Sequence, residues 1–301
     1  MDIYDILKAL IFLTLAITGI TGNGFIILSF CETVCQKQHK KLKTTDIIIV
    51  QLATSNFIMV LSRGVPDCLF AFGIKNLFND TGCKFIAFIS RVARSMSMCL
   101  TSLLSCFQFV TLASSNAKWA YIKNKIQTFL LTIVISLLFA NTLAYVTGTI
   151  FSVSGSNSTD LRYSYNFGYC LVTFPSKESF QAKGFLTFAQ DCFVVVLMAM
   201  TSGSMLFILY WHGKQVKGIR TSDQSQEVTA ENRAAKAVAI LVSLYIFFFG
   251  VDSTIMLYQV TFFRIHIIVS DIRTFFSVCY TSVFPFLIIK QRKSRKIEPN
   301  M

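Results

Sequence analysis

Apolar residues along this chain gather into seven long runs, separated by short polar segments. The runs cover residues 7–30, 45–74, 83–112, 126–151, 184–210, 234–262 and 267–289. Each reaches the ~20 residues needed to cross a hydrocarbon core. Inside lipid the backbone amides find no water, so each run is expected to be a helix that satisfies its own hydrogen bonds. The pattern predicts an all-α membrane protein, a seven-helix bundle forming a single domain over residues 1–301. An odd number of crossings puts the two termini on opposite sides of the bilayer.

Composition supports this reading. Hydrophobic residues make up 53% of the 301 positions and charged residues only 14%, with a mean hydropathy of +0.58. A net charge of +13 would suit a nucleic-acid binder, but the distribution argues otherwise. Lys37, Lys40, Lys41 and Lys43 follow the first run, and Lys118, Lys123 and Lys125 follow the third. Lys214, Lys217, Arg220, Arg233 and Lys236 surround the gap between runs five and six, and Lys290, Arg292, Lys293, Arg295 and Lys296 follow the seventh. These clusters all fall on one side. Positive loops stay in the cytoplasm, so the N-terminus is expected outside and the C-terminus inside. The first residues are acidic (Asp2, Asp5) and no small-residue cleavage site follows, so the first run is expected to act as its own insertion signal. With about six residues ahead of it, a small-molecule site is expected within the bundle.

The loops offer two checks on this topology. Cys83 opens the third run and Cys170 lies in the long loop before the fifth, both on the expected outer side. A disulfide between them would pin that loop over the bundle in an oxidising compartment; two free thiols are the alternative. The sequons Asn79-Asp80-Thr81 and Asn157-Ser158-Thr159 fall on the same side, as glycosylation requires. Asn157, in a Ser/Gly-rich stretch, is the better acceptor of the two.

Ionisable residues inside spans are costly and mark interior or functional positions. In the third run Arg91, Arg94, Ser95, Met98, Ser102 and Ser105 share one helical face. Counted from Cys83, Arg91 lies ~12 Å and Arg94 ~17 Å along the helix, and Arg63 of the second run should lie at a comparable level. Two arginines one turn apart need an anion nearby. Either they pair with Asp67, Asp191 or Asp252, or they face a ligand, and then a carboxylate or sulfate is favoured through forked hydrogen bonds. Arg63, Arg91, Arg94, Ser95 and Met98 are therefore the candidate ligand-binding residues. Gly22-Asn23-Gly24 permits close helix contact and offers an amide that Asn56 of the second run could hydrogen-bond, Pro66 and Pro285 predict kinks, and many of the thirty Phe residues should face lipid or neighbouring helices. The three His residues, His39, His212 and His266, sit in separate loops, and no metal-ligand, nucleophile-elbow or phosphate-loop motif occurs. No catalytic residue, metal or cofactor is expected. Absence of an internal repeat weakens a transporter reading, and absence of a filter-like loop weakens a channel reading.

Several strings resemble a known family. Gly22-Asn23 and Leu52-Ala53 with Asn56 resemble the first two spans of rhodopsin-like receptors. Where those receptors carry Asp-Arg-Tyr, this chain has Phe107-Gln108-Phe109, and it lacks a proline in the sixth run. Leu103-Leu104-Ser105 with Gln108, Ala230-Glu231-Asn232-Arg233-Ala234, and the run Ser277, Cys279-Tyr280, Val283, Pro285-Phe286 look like the vomeronasal type-1 receptors and their fish olfactory relatives. Bitter taste receptors are the nearest competitor, but they generally lack the outer cysteine pair. The resemblance implies a chemosensory G-protein-coupled receptor in the plasma membrane of sensory neurons. It would bind a small odorant or pheromone and act through an inhibitory-type heterotrimeric G protein. Gln108, Lys214, Lys217, Arg233 and Lys236 are the residues expected to shape the G-protein cleft.

Overall fold

A computed structural model describes residues 3–36, 43–74, 76–114, 116–150, 152–154, 163–216, 225–262 and 267–296. Helix α1 covers Ile3–Gln36. The second span is built from α2 (Thr44–Met59), a π-helical turn (Val60–Gly64) and α3 (Val65–Ala71). Helices α4 (Asp80–Leu112), α5 (Ala117–Thr149), α6 (Lys177–Val216), α7 (Ser225–Phe262) and α8 (Ile267–Lys296) complete the bundle. Seven helices are long and apolar enough to cross a membrane. Most extend past the apolar runs that predicted them, because a helix continues into the polar boundary once its core turn has formed. Leu131, Phe139, Leu186, Phe193, Met200 and Phe207 all present apolar side chains outward. So wide an apolar exterior belongs to a multi-pass membrane protein with lipid around it.

Local sequence explains where the helices start and bend. Asn79 caps α4 by accepting a hydrogen bond from Gly82 N at 2.8 Å, and Asn116 caps α5 by accepting from Lys118 N at 3.0 Å. Pro66 has no N–H and its ring crowds the preceding turn. The helix responds with the wide turn just before it, where Val65 N–H reaches back to Val60 O. Pro285 lies within α8, and Gly22 of α1 faces its ring so closely that a Cβ there would fall 2.6 Å from Pro285 Cβ. Asn23 then donates to Gly19 O at 2.8 Å and across to Thr281 O of α8 at 2.9 Å.

Helix α4 is the central post. It packs against α2, α5, α6 and α7, and its buried residues alternate between apolar (Met96, Leu100, Leu104) and small polar (Ser95, Ser97, Thr101, Ser105). Three of the serines find specific partners on other helices. Ser97 Oγ donates to Asn56 Oδ1 at 2.7 Å, Ser105 Oγ shares a hydrogen bond with Thr201 Oγ1 at 2.7 Å, and Ser95 Oγ donates to Asn141 Oδ1. With no hydrophobic force between helices in lipid, such bonds and close packing hold the bundle.

The loop between α5 and α6 carries structure that the apolar pattern does not predict. Strands β1 (Ser152–Ser154), β2 (Ser164–Asn166) and β3 (Cys170–Thr173) form an antiparallel sheet in the order β1-β3-β2. Three- and four-residue strands give too short an alternation to stand out from a Ser/Gly-rich loop. Cys83 and Cys170 are joined by a disulfide with Cα atoms 5.7 Å apart, which ties β3 to the first turns of α4. Two apolar clusters seat the sheet on the bundle: Val172, Phe174 and Phe180 against Val260, and Tyr169 with the disulfide against Phe70 and Phe78. This sheet covers the disulfide end of the bundle.

Candidate ligand site and its ionic floor

Below the sheet lies a cavity of about 60 Å³ lined by Arg91, Arg94, Tyr145, Tyr165, Phe167, Phe174, Lys183, Thr187, Met256 and Arg273. Helices α4 to α8 and the loop sheet all contribute to its wall. Four of these side chains are cationic, and no carboxylate is among them. Arg273 stacks over the Tyr165 ring at 5.7 Å, and Lys183 donates to Ala144 O at 2.7 Å while lying over the Tyr145 ring at 5.2 Å. Burial pushes the Tyr165 phenol upward, and the neighbouring Arg273 and Arg91 cations only partly offset it. Tyr165 therefore stays a neutral hydroxyl, able to donate a hydrogen bond into the cavity.

The floor of the cavity is an ion network. Arg94 forks onto Asp191 of α6, with Nη1–Oδ1 at 3.2 Å and Nη2–Oδ2 at 2.9 Å. It also reaches Asp252 of α7, with Nε–Oδ2 at 3.0 Å and Nη2–Oδ2 at 2.7 Å. Arg273 of α8 donates to the other Asp252 oxygen at 2.9 Å, and Ser253 Oγ donates to Asp191 at 2.7 Å. Both carboxylate side chains are only 2% exposed. Four helices are thus cross-linked by charge-assisted bonds, which are short and strong where water is excluded. Under the network lies an aromatic layer. Phe249 faces the Arg94 guanidinium at 5.1 Å and stacks on Tyr245 at 4.2 Å.

The candidate residues named from sequence take different places. Arg91 and Arg94 line the cavity. Arg94 is ion-paired with two of the three aspartates considered as partners, so for it the pairing arrangement is the one found. Ser95 and Met98 are buried beneath and lie outside the cavity wall. Ser95 joins Asn141 and Gln190, whose Nε2 donates to Ser95 Oγ at 3.2 Å, and Met98 Sδ accepts from Arg94 Nη1 at 3.6 Å. Arg63 belongs to a neighbouring cluster, donating to Thr274 Oγ1 at 2.7 Å and lying over the Phe167 ring at 4.4 Å. Sequence reasoning missed Arg273, Lys183 and the loop aromatics. Lys183 sits one residue ahead of the fifth apolar run, where a boundary charge is ordinary, and Arg273 lies near the start of the seventh; the packing of α6 and α8 in the bundle brings them over the cavity.

At the opposite end, Gln108 is buried near the end of α4, whose neighbours α6 and α7 also pack on each other. Lys214, Arg233 and Lys236 lie on α6 and α7 by backbone position. Their side chains, with Lys217 and Asn157, lie outside the described residues. Asn79 is described, and its side-chain oxygen is engaged as the α4 cap. Among the described residues, no group of three or more His, Cys, Asp or Glu is placed to hold a metal ion.

Seven spanning helices, a disulfide from the third span to the covering loop, and a polar cavity among spans three to seven define a rhodopsin-like G-protein-coupled receptor. The sequence model of the vomeronasal organ pheromone receptor family matches residues 6–296, and the chain belongs to that family. It is similar to Olfactory receptor class A-like protein 1 of Danio rerio, 35% identical over 297 residues, covering 98% of this chain and 92% of the relative. It is also similar to two proteins of Homo sapiens. With Vomeronasal type-1 receptor 3 it is 30% identical over 245 residues, 81% of this chain and 78% of the relative. With Vomeronasal type-1 receptor 1 it is 34% identical over 236 residues, 78% of this chain and 66% of the relative. The chain is thus a chemosensory receptor of the G-protein-coupled class rather than a member of an enzyme family. Its class implies a small-molecule ligand, a G protein and membrane lipid as partners.

Proposed function

We propose that this receptor recognises a small anionic odorant or pheromone in the cavity beneath the loop sheet. The observation that carries the reading is the convergence of Arg91, Arg94, Lys183 and Arg273 on one cavity whose described wall holds no carboxylate. Asp191 and Asp252 lie below and are engaged by Arg94 and Arg273. A carboxylate or sulfate would meet forked guanidinium donors, the lysine ammonium and the Tyr165 hydroxyl at once. The cavity of about 60 Å³ holds a few waters and is smaller than the ~300 Å³ at the lower end of small-molecule sites. Ligand entry therefore requires the sheet aromatics Tyr165, Phe167 and Phe174 to move. A ligand that binds better to the expanded arrangement shifts the population toward it.

The disulfide end is assigned to the exterior and the C-terminus to the cytoplasm. Clustered Lys and Arg at the opposite helix ends support this, as does the oxidised Cys83–Cys170 pair. Movement of α6 and α7 against α4 would open a cleft for an inhibitory-type heterotrimeric G protein, with Gln108, Lys214, Lys217, Arg233 and Lys236 at its rim. The setting is the plasma membrane of chemosensory neurons. Asn157 is the glycosylation site assigned to the covering loop, with Asn79 the weaker candidate.

The test is G-protein activation in transfected cells exposed to acidic, neutral and amine odorants. Acidic compounds should activate, and Arg91→Gln or Lys183→Gln should each raise the half-maximal concentration for them about tenfold or more, the loss of a charge-assisted hydrogen bond. Unchanged potency for acids in both variants would overturn the reading.

A further inference from the structure

We infer that a second cavity, beside the first, is a separate binding site for a small protonated amine. It measures about 100 Å³ and is lined by Asp67 and Phe70 of α3, Phe167 and Gly168 of the β2–β3 turn, and Ser270, Asp271 and Thr274 of α8. Its chemistry is the inverse of the first cavity. Two carboxylates and two hydroxyls face it, and among the described residues no cationic side chain is in its wall. Phe167 lines both cavities and so forms the partition between them.

Asp67 carries the argument. The residue is 8% exposed, and its Oδ2 accepts no hydrogen bond from the described residues. Arg63 Nε forms an ion pair with it at 3.7 Å, too long for a hydrogen bond. The Arg63 guanidinium is directed elsewhere, to Thr274 Oγ1 at 2.7 Å and over the Phe167 ring at 4.4 Å. Buried carboxylates nearly always receive donors, and leaving one without them is costly. A primary ammonium brings three donors on one charge. One would satisfy Asp67 Oδ2, and the others would reach the Ser270 hydroxyl and the Asp271 carboxylate.

Asp271 is already held by Lys8 Nζ at 2.7 Å and by the Tyr4 hydroxyl at 3.2 Å. It therefore contributes its remaining lone pairs, and Asp67 is the primary anchor. Phe70 and Phe167 wall the same space and exclude water from it; each ring already faces a cation of the chain, Lys8 over Phe70 at 5.9 Å and Arg63 over Phe167 at 4.4 Å, so Asp67 rather than the rings supplies the attraction for an ammonium. The absence of a side chain at Gly168 lets the turn approach Phe70 closely. Gly168 sits at φ +81°, and a Cβ there would stand 2.6 Å from the Phe70 ring.

The site does not depend on the anion-binding reading of the first cavity, and its test separates the two. The full-length receptor, purified in detergent, is heated with n-butylammonium chloride, with sodium butyrate, and with sodium chloride at equal ionic strength. Butylammonium at a hundredfold excess over its dissociation constant should raise the unfolding midpoint by roughly 3 °C or more, and sodium chloride should not. Asp67→Asn should abolish the rise, and Arg91→Gln should leave it intact. Ser270→Leu, which fills the cavity without altering a charge, should abolish it as well and serves if Asp67→Asn does not fold. A rise equal to that from sodium chloride, no rise at all, or a rise surviving Asp67→Asn or Ser270→Leu would each overturn the proposal. None of these results bears on whether Arg91→Gln impairs responses to acids.

Discussion

Replacing Arg94 with Gln tests whether the ionic floor holds the bundle together. In the wild type Arg94 serves Asp191 with two bonds, at 3.2 and 2.9 Å, and Asp252 with contacts at 3.0 and 2.7 Å. Without the guanidinium, Asp252 keeps Arg273 Nε at 2.9 Å. Among the described residues Asp191 keeps only the Ser253 hydroxyl at 2.7 Å and becomes an unbalanced charge in a site 2% exposed. Removing one partner of a buried pair costs about 3–5 kcal/mol, most of it from the charge left behind. In a chain of this size that corresponds to a midpoint roughly 5–8 °C lower. Thermal unfolding in detergent, followed with a thiol-reactive dye that reports exposure of buried cysteines such as Cys68, measures it. Asp191→Asn alone should cost only about 1–2 kcal/mol, because Arg94 retains Asp252. The double variant Arg94→Gln/Asp191→Asn should recover much of the single-variant loss, since no carboxylate is stranded. A midpoint for Arg94→Gln within about 2 °C of wild type would refute this reasoning. So would a double variant as unstable as the two losses added together.

Three further outcomes follow from the covering loop and the helix ends. Gly168→Ala should destabilise the β2–β3 turn by about 1–2 kcal/mol from its positive φ alone, with the Phe70 contact adding to it, and proteolysis of the loop in intact cells should reveal the loosening. Cys170→Ser should cost about 2–5 kcal/mol and lower surface delivery, read by flow cytometry of an N-terminal epitope. Asn157→Gln should remove the glycosidase-sensitive gel shift and Asn79→Gln should not, because the Asn79 side chain is held as a helix cap by Gly82 N–H.

Asn23 and Arg94 mark how far sequence reasoning reaches. The Gly-Asn pair in the first run predicts close helix contact, and the contact is there, with Pro285 against Gly22; the Asn23 amide bonds Thr281 O of α8 rather than Asn56, whose oxygen accepts from Ser97. Asn23 was legible because small residues and an amide in a spanning helix have few uses besides packing and cross-helix bonding. Arg94 was legible as an interior cation, with two alternatives for its partner. One sequence gives the periodicity of a helix but not the rotation of its neighbours, so it could not choose between aspartates on α3, α6 and α7 or a ligand.

The chain alone determined the number of spans, the helical form, the shared face of Arg91 and Arg94, and the pairing options of Cys83 and Cys170. These follow from bilayer thickness, helical pitch and the scarcity of polar groups in apolar runs, all of which act along the chain. Tertiary structure decided which carboxylates hold Arg94, that Lys183 and Arg273 overhang the same cavity, and that a small sheet covers it. It also decided that Ser95 and Met98 lie below this cavity, while Asp67 lines a second one with Arg63 beside it. These outcomes depend on distances between helices far apart in sequence, which are set by packing around α4 and by the disulfide, and no local pattern encodes them.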